Sequence, residues 1–132
     1  VQWEGTDTGT ADRGGTVMGN DEVVRNLKGM DELDFKGWNN ADWNGVFAHY
    51  HTDDVLVEVN GQPPTHGIEE HTAAMKAFVE STGGTPTQVK SHPIAFGSGE
   101  WTCVVGELDG GSRMVTVAKW RDGAIAEEYI WM

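Results

Sequence analysis

Four β-patterned segments run one after another through the last third of the chain, and they constrain its fold more than any other feature. They read VKSHPIAF, EWTCVVGEL, RMVTVAKW and AIAEEYIWM, separated by GSG, DGGS and RDG. Gly- and Asp-bearing turns between apolar runs are the strongest short-range hairpin signal in a sequence. Consecutive hairpins build one curved antiparallel sheet, and the segments before it must cover a face of that sheet. The result is a cup, a shape in which small-molecule pockets commonly lie.

The covering segments are helical. Asn20 and Asp21 can cap a helix whose stripe, Val23, Val24, Leu27, Met30 and Asp34, recurs every three to four residues and ends at Trp38. Gly29 and Gly37 fall inside it and weaken it. A short second helix is predicted from Ala41 to Tyr50, then a strand from Val55 to Val59 and a Pro-containing loop, NGQPPTHG. A third helix runs from about Gly67 to Ser81, with Ile68, His71, Met75, Phe78 and Val79 on one face. The order α-α-β-α-β-β-β-β makes one domain over residues 20–132. Residues 1–19 are rich in Gly, Thr and Asp without periodicity, and read as a disordered or loosely docked tail with Met18 a candidate start.

Charge excludes one class of partner. The net charge is −12, and the nine Lys and Arg are scattered, whereas a nucleic-acid surface needs a basic stripe. No apolar run of ~18 residues is present to span a membrane, and no basic-then-apolar secretory segment opens the chain. The single cysteine, Cys103, excludes an internal disulfide and fits a cytoplasmic setting. There is no GxSxG nucleophile motif, and the GSG and GG pairs lie in hairpins rather than before helices, where they would cradle phosphate.

The segment FAHYHTDDVLVEVNG…HGIEEHTAAMKAF holds an acidic pair, Asp53–Asp54, before the first strand, and Gly67 at the head of the third helix. Asp122, Gly123, Ile125 and Glu127 open the last strand in a DG-x-I-x-E pattern. In this order, over about residues 20–132, these marks resemble the nuclear-transport-factor-2-like (NTF2-like) superfamily, and within it the SnoaL-like polyketide cyclases. The resemblance implies an α+β fold, a cone-shaped α+β barrel in which a curved, mostly antiparallel sheet wraps around the N-terminal helices. It also implies a deep apolar pocket and a homodimer. The chemistry it implies is acid–base work of the cyclase, isomerase or epoxide-hydrolase type on a small apolar molecule bearing a carbonyl or epoxide, with no cofactor and no metal. The alternative is a non-catalytic protein that binds a small apolar ligand. The positions where such relatives carry acids fall here on Val59, Val117 and Ile130.

Strand geometry then selects candidates. If Asp122-Gly123 makes a two-residue turn, Val117 faces Glu128 and Val115 faces Ile130, on the side that also carries Lys119, Val104 and Thr102. By analogy with the family this is the pocket side. Candidate lining residues are therefore Val57, Val59, Val104, Val115, Val117 and Ile130, with Met75 and Trp38 from the helices. Glu128 is the candidate pocket carboxylate, because a carboxyl group among valines gains the raised pKa useful in acid–base chemistry. His71, inside the apolar stripe of the third helix, is the candidate to exchange protons with it, and Tyr50 the candidate to polarise a substrate oxygen. The opposite face carries Trp101, Cys103, Thr116, Ala118, Trp120, Tyr129 and Trp131, which a dimer would bury. A one-residue bulge would exchange the two faces. Of the other histidines, His66 reads as exposed and His92, before Pro93, as structural or interfacial. His49-Tyr-His51 with Glu58 and Gly61 invites a metal reading of the cupin type, but the spacing is wrong and the two histidines fall at a predicted helix end, where i and i+2 do not face each other.

Overall fold

The computed structural model describes residues 18–132, with side chains from Asn20 onward. The tail expected over residues 1–19 lies almost wholly outside the described residues. Helix α1 spans Met18–Glu32 and passes directly into a π-helical segment, Leu33–Trp38; a second π-helical segment, Trp43–Phe47, follows. Met30 and Asp34 of the predicted stripe are buried, whereas Val24 is 59% exposed, and the last turn and the short second helix are wound wider than an α-helix. Asp42 caps the second segment, its carboxylate accepting from the Val46 amide at 2.9 Å.

Strand β1, His51–Val59, begins at His51 rather than at the predicted Val55. A two-residue strand β2, Thr65–His66, precedes helix α2, Ile68–Ser81. Strands β3 (Val89–Ser98), β4 (Trp101–Leu108), β5 (Arg113–Arg121) and β6 (Ala124–Trp131) follow where the four patterned segments lie. Among the described residues no helix is long and apolar enough to cross a membrane.

The six strands form a single sheet in the order β2-β1-β6-β5-β4-β3. Every neighbouring pair is antiparallel except β1 beside β6, which is parallel. Strands β2 and β3 remain as edges, so the expected α+β cone is present but unclosed. Met30, Leu33 and Phe47 from the helical layer pack on Val55, Val57, Val104, Trp120 and Ile125 of the sheet. Trp120 is 1% exposed, and its indole N–H donates to Thr102 Oγ1 at 2.9 Å, which satisfies its one polar atom. Gly37, read in the sequence as a weakness, is a close approach: a Cβ there would stand 3.0 Å from the Phe47 backbone nitrogen. Its bareness lets the two π-helical segments touch.

One bulge decides which residues see the interior. Asp122 and Gly123 have φ of +53° and +83°, the two-residue turn with both centres left-handed that the sequence predicts. Arg121 then pairs with Ala124 and Trp120 with Ile125, but Lys119 pairs with Glu127, leaving Ala126 as an extra residue. Beyond it the register is displaced by one, so Glu128 faces Ala118 and Ile130 faces Thr116. Thr116, Ala118 and Trp120 are therefore the buried, inward residues of β5. Val115 and Val117, expected to line the pocket, lie on the outer face together with Lys119. Glu128 and Ile130 on β6 keep their inward place because they follow the bulge. Thr102 and Val104 on β4 also face inward, but they pair with Ala118 and Thr116 and do not share a face with Val117 and Lys119 as expected.

Candidate active site

His51, Val55 and Val57 of β1 are buried, while Asp53 and Asp54 between them are exposed where the register against β6 shifts between His51 and Leu56. His51 Nδ1 lies 2.7 Å from the Phe47 carbonyl oxygen, which can only accept, so Nδ1 carries a hydrogen and donates. Its Nε2 lies 3.1 Å from Glu128 Oε1. An unprotonated ring nitrogen and a carboxylate oxygen would repel at that distance, so a proton is shared between them. His71, from the first turn of α2, brings Nε2 to 3.6 Å from the same oxygen, beyond hydrogen-bond range. Its Nδ1 is buried without a hydrogen-bond partner. Phe47 packs against both imidazoles, at 4.7 Å from His51 and 5.2 Å from His71 between ring centroids.

Burial sets the protonation of these groups. Burial alone would push the Glu128 carboxyl up, but the His51 hydrogen bond and the charge of the imidazoles outweigh it and hold it below its ordinary value. Burial pulls His71 down to about 4 against the opposing influence of Glu128, so its ring is neutral near pH 7. The ligand atoms of His51, His71 and Glu128 lie within 4.8 Å of one another, the set among the described residues that could hold a metal ion. The His51–Glu128 separation is already that of a hydrogen bond, and one proton satisfies the pair without an ion.

A second polar group lies in the π-helical segment. Asp34 Oδ2 is 2.8 Å from His92 Nε2, and His92 Nδ1 is 2.8 Å from Asp31 Oδ1. Burial raises the Asp34 carboxyl, with the charges of Glu128 and Asp31 adding to it and His92 opposing. For His92 burial acts downward, but Asp34 and then Asp31 outweigh it and raise the imidazole.

Both groups open on one cavity of about 250 Å³, walled mostly by apolar side chains that include Leu33, Phe78 and Val89, with Thr116, Ser112 and Arg113 adding polar groups. Trp38 is fixed in this wall by its indole N–H, which donates to the Thr87 carbonyl at 2.8 Å. Asn39 clamps the same segment to β3, donating to the Val89 carbonyl and accepting from its amide. A second chamber of about 280 Å³ lies alongside; His71, Met75 and Phe78 border both.

Of the residues singled out in the sequence, Glu128, His71, Val59, Ile130, Met75 and Trp38 line the cavity. Val57 borders only the second chamber, and Val104 is core beneath the cavity wall. Val117 lines an outer-face groove with Phe96, Trp101 and Cys103. Tyr50 is not among the cavity residues: strand alternation gives the inward place to His51, and the Tyr50 hydroxyl donates to Glu32 at 3.2 Å. His51, Asp34 and Thr116 are cavity residues that the sequence reading did not select. His51 carries no periodic signal, because the exposed Asp53 and the register shift before Leu56 separate it from the alternation of Val55 and Val57. Asp34 stood in the apolar stripe of α1, and its partner His92 is 58 positions away.

No family model matches the sequence, and no curated protein matches it. Solved structures do match in fold. An NTF2-like protein from Anabaena variabilis superposes with a TM-score of 0.68 at 15% identity, over 96% of this chain and 93% of that one. A SnoaL-like protein from Burkholderia thailandensis gives 0.68 at 10% identity, over 81% and 93%. Bal32a, from a soil-derived mobile gene cassette, gives 0.69 at 15% identity, over 83% and 89%. The chain has the NTF2-like α+β fold.

Proposed function

We propose that this chain is an acid–base enzyme of the SnoaL-like kind, acting on a small, mostly apolar molecule that bears a carbonyl or epoxide. The observation that carries the reading is the buried His51–Glu128–His71 cluster in the wall of a mostly apolar cavity. Glu128, a carboxylate oriented by His51, takes a proton from the carbon next to the carbonyl. Neutral His71, in the tautomer with hydrogen on its unpartnered nitrogen, donates to the oxygen on which charge develops. Neither role requires a metal or cofactor. Fold alone does not separate cyclase, isomerase and epoxide-hydrolase outcomes, which differ in what the enolate or the opened ring does next.

The test is exchange of α-hydrogen for deuterium in D2O across a panel of cyclic ketones and β-keto esters, followed by NMR. Wild type is expected to catalyse exchange, and Glu128→Gln to slow it by about 100-fold or more. Unchanged rates in both Glu128→Gln and His71→Gln would remove the catalytic assignment. The second reading, a ligand carrier, is favoured by the apolar lining; it predicts that panel members quench Trp38 fluorescence but undergo no exchange.

We further infer a homodimer through the outer sheet face, where Ile94, Trp101 and Trp131 are 45%, 40% and 47% exposed. A free Cys103 on that face fits the reducing cytoplasm.

A further inference from the structure

We propose that Asp34 is a second proton-transfer group of this cavity and that His92 and Asp31 connect it to bulk solvent. The proposal rests on the acid–base reading of the cavity and adds to it a route by which protons enter and leave.

Three features build the route. The first is position: Asp34 lines the cavity and is 6% exposed, whereas the Asp31 side chain, one turn earlier on the same helical face, is 55% exposed. The second is the bridge. His92, with a side chain only 5% exposed, is inserted between them, each ring nitrogen 2.8 Å from a carboxylate oxygen. Two short hydrogen bonds thus lead from the interior to the surface. The third is the local backbone. Ser91 pairs with Glu107 and Ile94 with Val105, so His92 and Pro93 stand opposite Gly106 alone, a bulge that takes His92 out of the regular ladder. Phe35 packs over its ring at 4.6 Å. At the other end, the π-helical winding begins at Leu33, beside Asp34. Irregular winding and bulges are both frequent at functional sites.

A tie between α1 and β3 needs one carboxylate, and the exposed Asp31 would serve. A second carboxylate buried in a cavity wall is a costly addition unless its proton is used. The electrostatics of the trio suit transfer. With Asp34 and Asp31 ionised and His92 doubly protonated, the trio carries one net negative charge. When Asp34 takes a proton from substrate, His92 releases the hydrogen on Nδ1 to Asp31 and thence to water. Its Nε2–H remains, donating to the now neutral Asp34. The trio ends with the same net charge, so no uncompensated charge accumulates in the interior. Delivery to substrate is the reverse. The other charged group acting on Asp34 is Glu128, from β6, and no Lys or Arg pairs with the trio among the described residues. The cavity then has two proton-transfer groups, Glu128 on the sheet and Asp34 on the helical layer, of which, among the described residues, only Asp34 has a hydrogen-bonded path to the surface.

The test uses the full chain and the same deuterium-exchange panel. Asp34→Asn is expected to slow exchange at least about tenfold. His92→Ala is expected to slow it likewise, with millimolar imidazole restoring it through the space vacated. Asp31→Asn, whose amide oxygen can still accept from His92, is expected to shift the pH–rate profile of the folded protein. Wild-type exchange rates in Asp34→Asn would overturn the proposal. So would a His92→Ala protein that melts lower yet exchanges at the wild-type rate in its folded fraction, because that is the signature of a structural tie. If Glu128→Gln abolishes exchange and Asp34→Asn does not, this inference alone fails. If Glu128→Gln and His71→Gln both keep full activity, the acid–base reading fails and this inference with it.

Discussion

His71 is an imidazole kept neutral by its surroundings, and that choice is visible in stability as well as chemistry. Its folded pKa of about 4 lies below the ordinary 6.5, so between these values the unfolded chain binds the extra proton. Stability contributed by the neutral ring is full above pH 6.5 and is lost as pH falls towards 4, by roughly 3 kcal/mol. Asp34, raised by burial, works in the opposite sense as pH rises above 3.8. The clean observable is therefore the difference between wild type and His71→Gln in urea unfolding across this range, from which Asp34 cancels. His92 has the reverse sign to His71. Its raised imidazole stabilises fully below 6.5, and that stability is lost as pH rises through its folded value, so His92→Gln should flatten the alkaline side of the same curve. Away from titration, Thr102→Val leaves the buried Trp120 indole without its acceptor and should cost about 1–3 kcal/mol with no change in turnover.

Elements were legible where a pattern is local. The four hairpin strands, the two-residue turn at Asp122-Gly123 and the inward face of α2 all follow from periods and turn residues, and with them came Glu128 and His71. What the periods do not reveal is where they are interrupted. Ala126 is an ordinary strand residue by composition, yet the extra residue it makes moves Val115 and Val117 outside and brings Thr116 in. The same holds for the π-helical segments, whose spacing departs from the helical wheel just where Asp34 and Trp38 reach the cavity. These irregularities are fixed by distant contacts such as the Asn39 clamp on Val89. Gly37 tests that dependence. Its Cβ would meet Phe47 backbone, which cannot swing away, so Gly37→Ala should cost about 1–3 kcal/mol and enlarge or distort the cavity, read by thermal melts and by loss of ligand quenching at Trp38.

At the scale of the molecule, the exposed Ile94, Trp101 and Trp131 of the outer sheet face are the ground for the proposed dimer. Sedimentation at micromolar concentration should show a dimer, and Ile94→Lys should shift it to monomer without loss of secondary structure. A wild-type monomer at that concentration would remove the dimer from the account. The fold also sets a timetable. The sheet's one parallel pairing joins β1 to β6, so the two halves of the shared-proton bond, His51 and Glu128, are separated by 77 positions. Contacts this distant along a chain close late, because the entropy of the intervening loop is lost before the contact rewards it. A nascent chain that has already folded its helices and first hairpins holds an apolar cleft with an unmatched imidazole and no Glu128. Only the last eight-residue strand brings the carboxylate. The polar cluster of the cavity is complete only once β6 is seated beside β1.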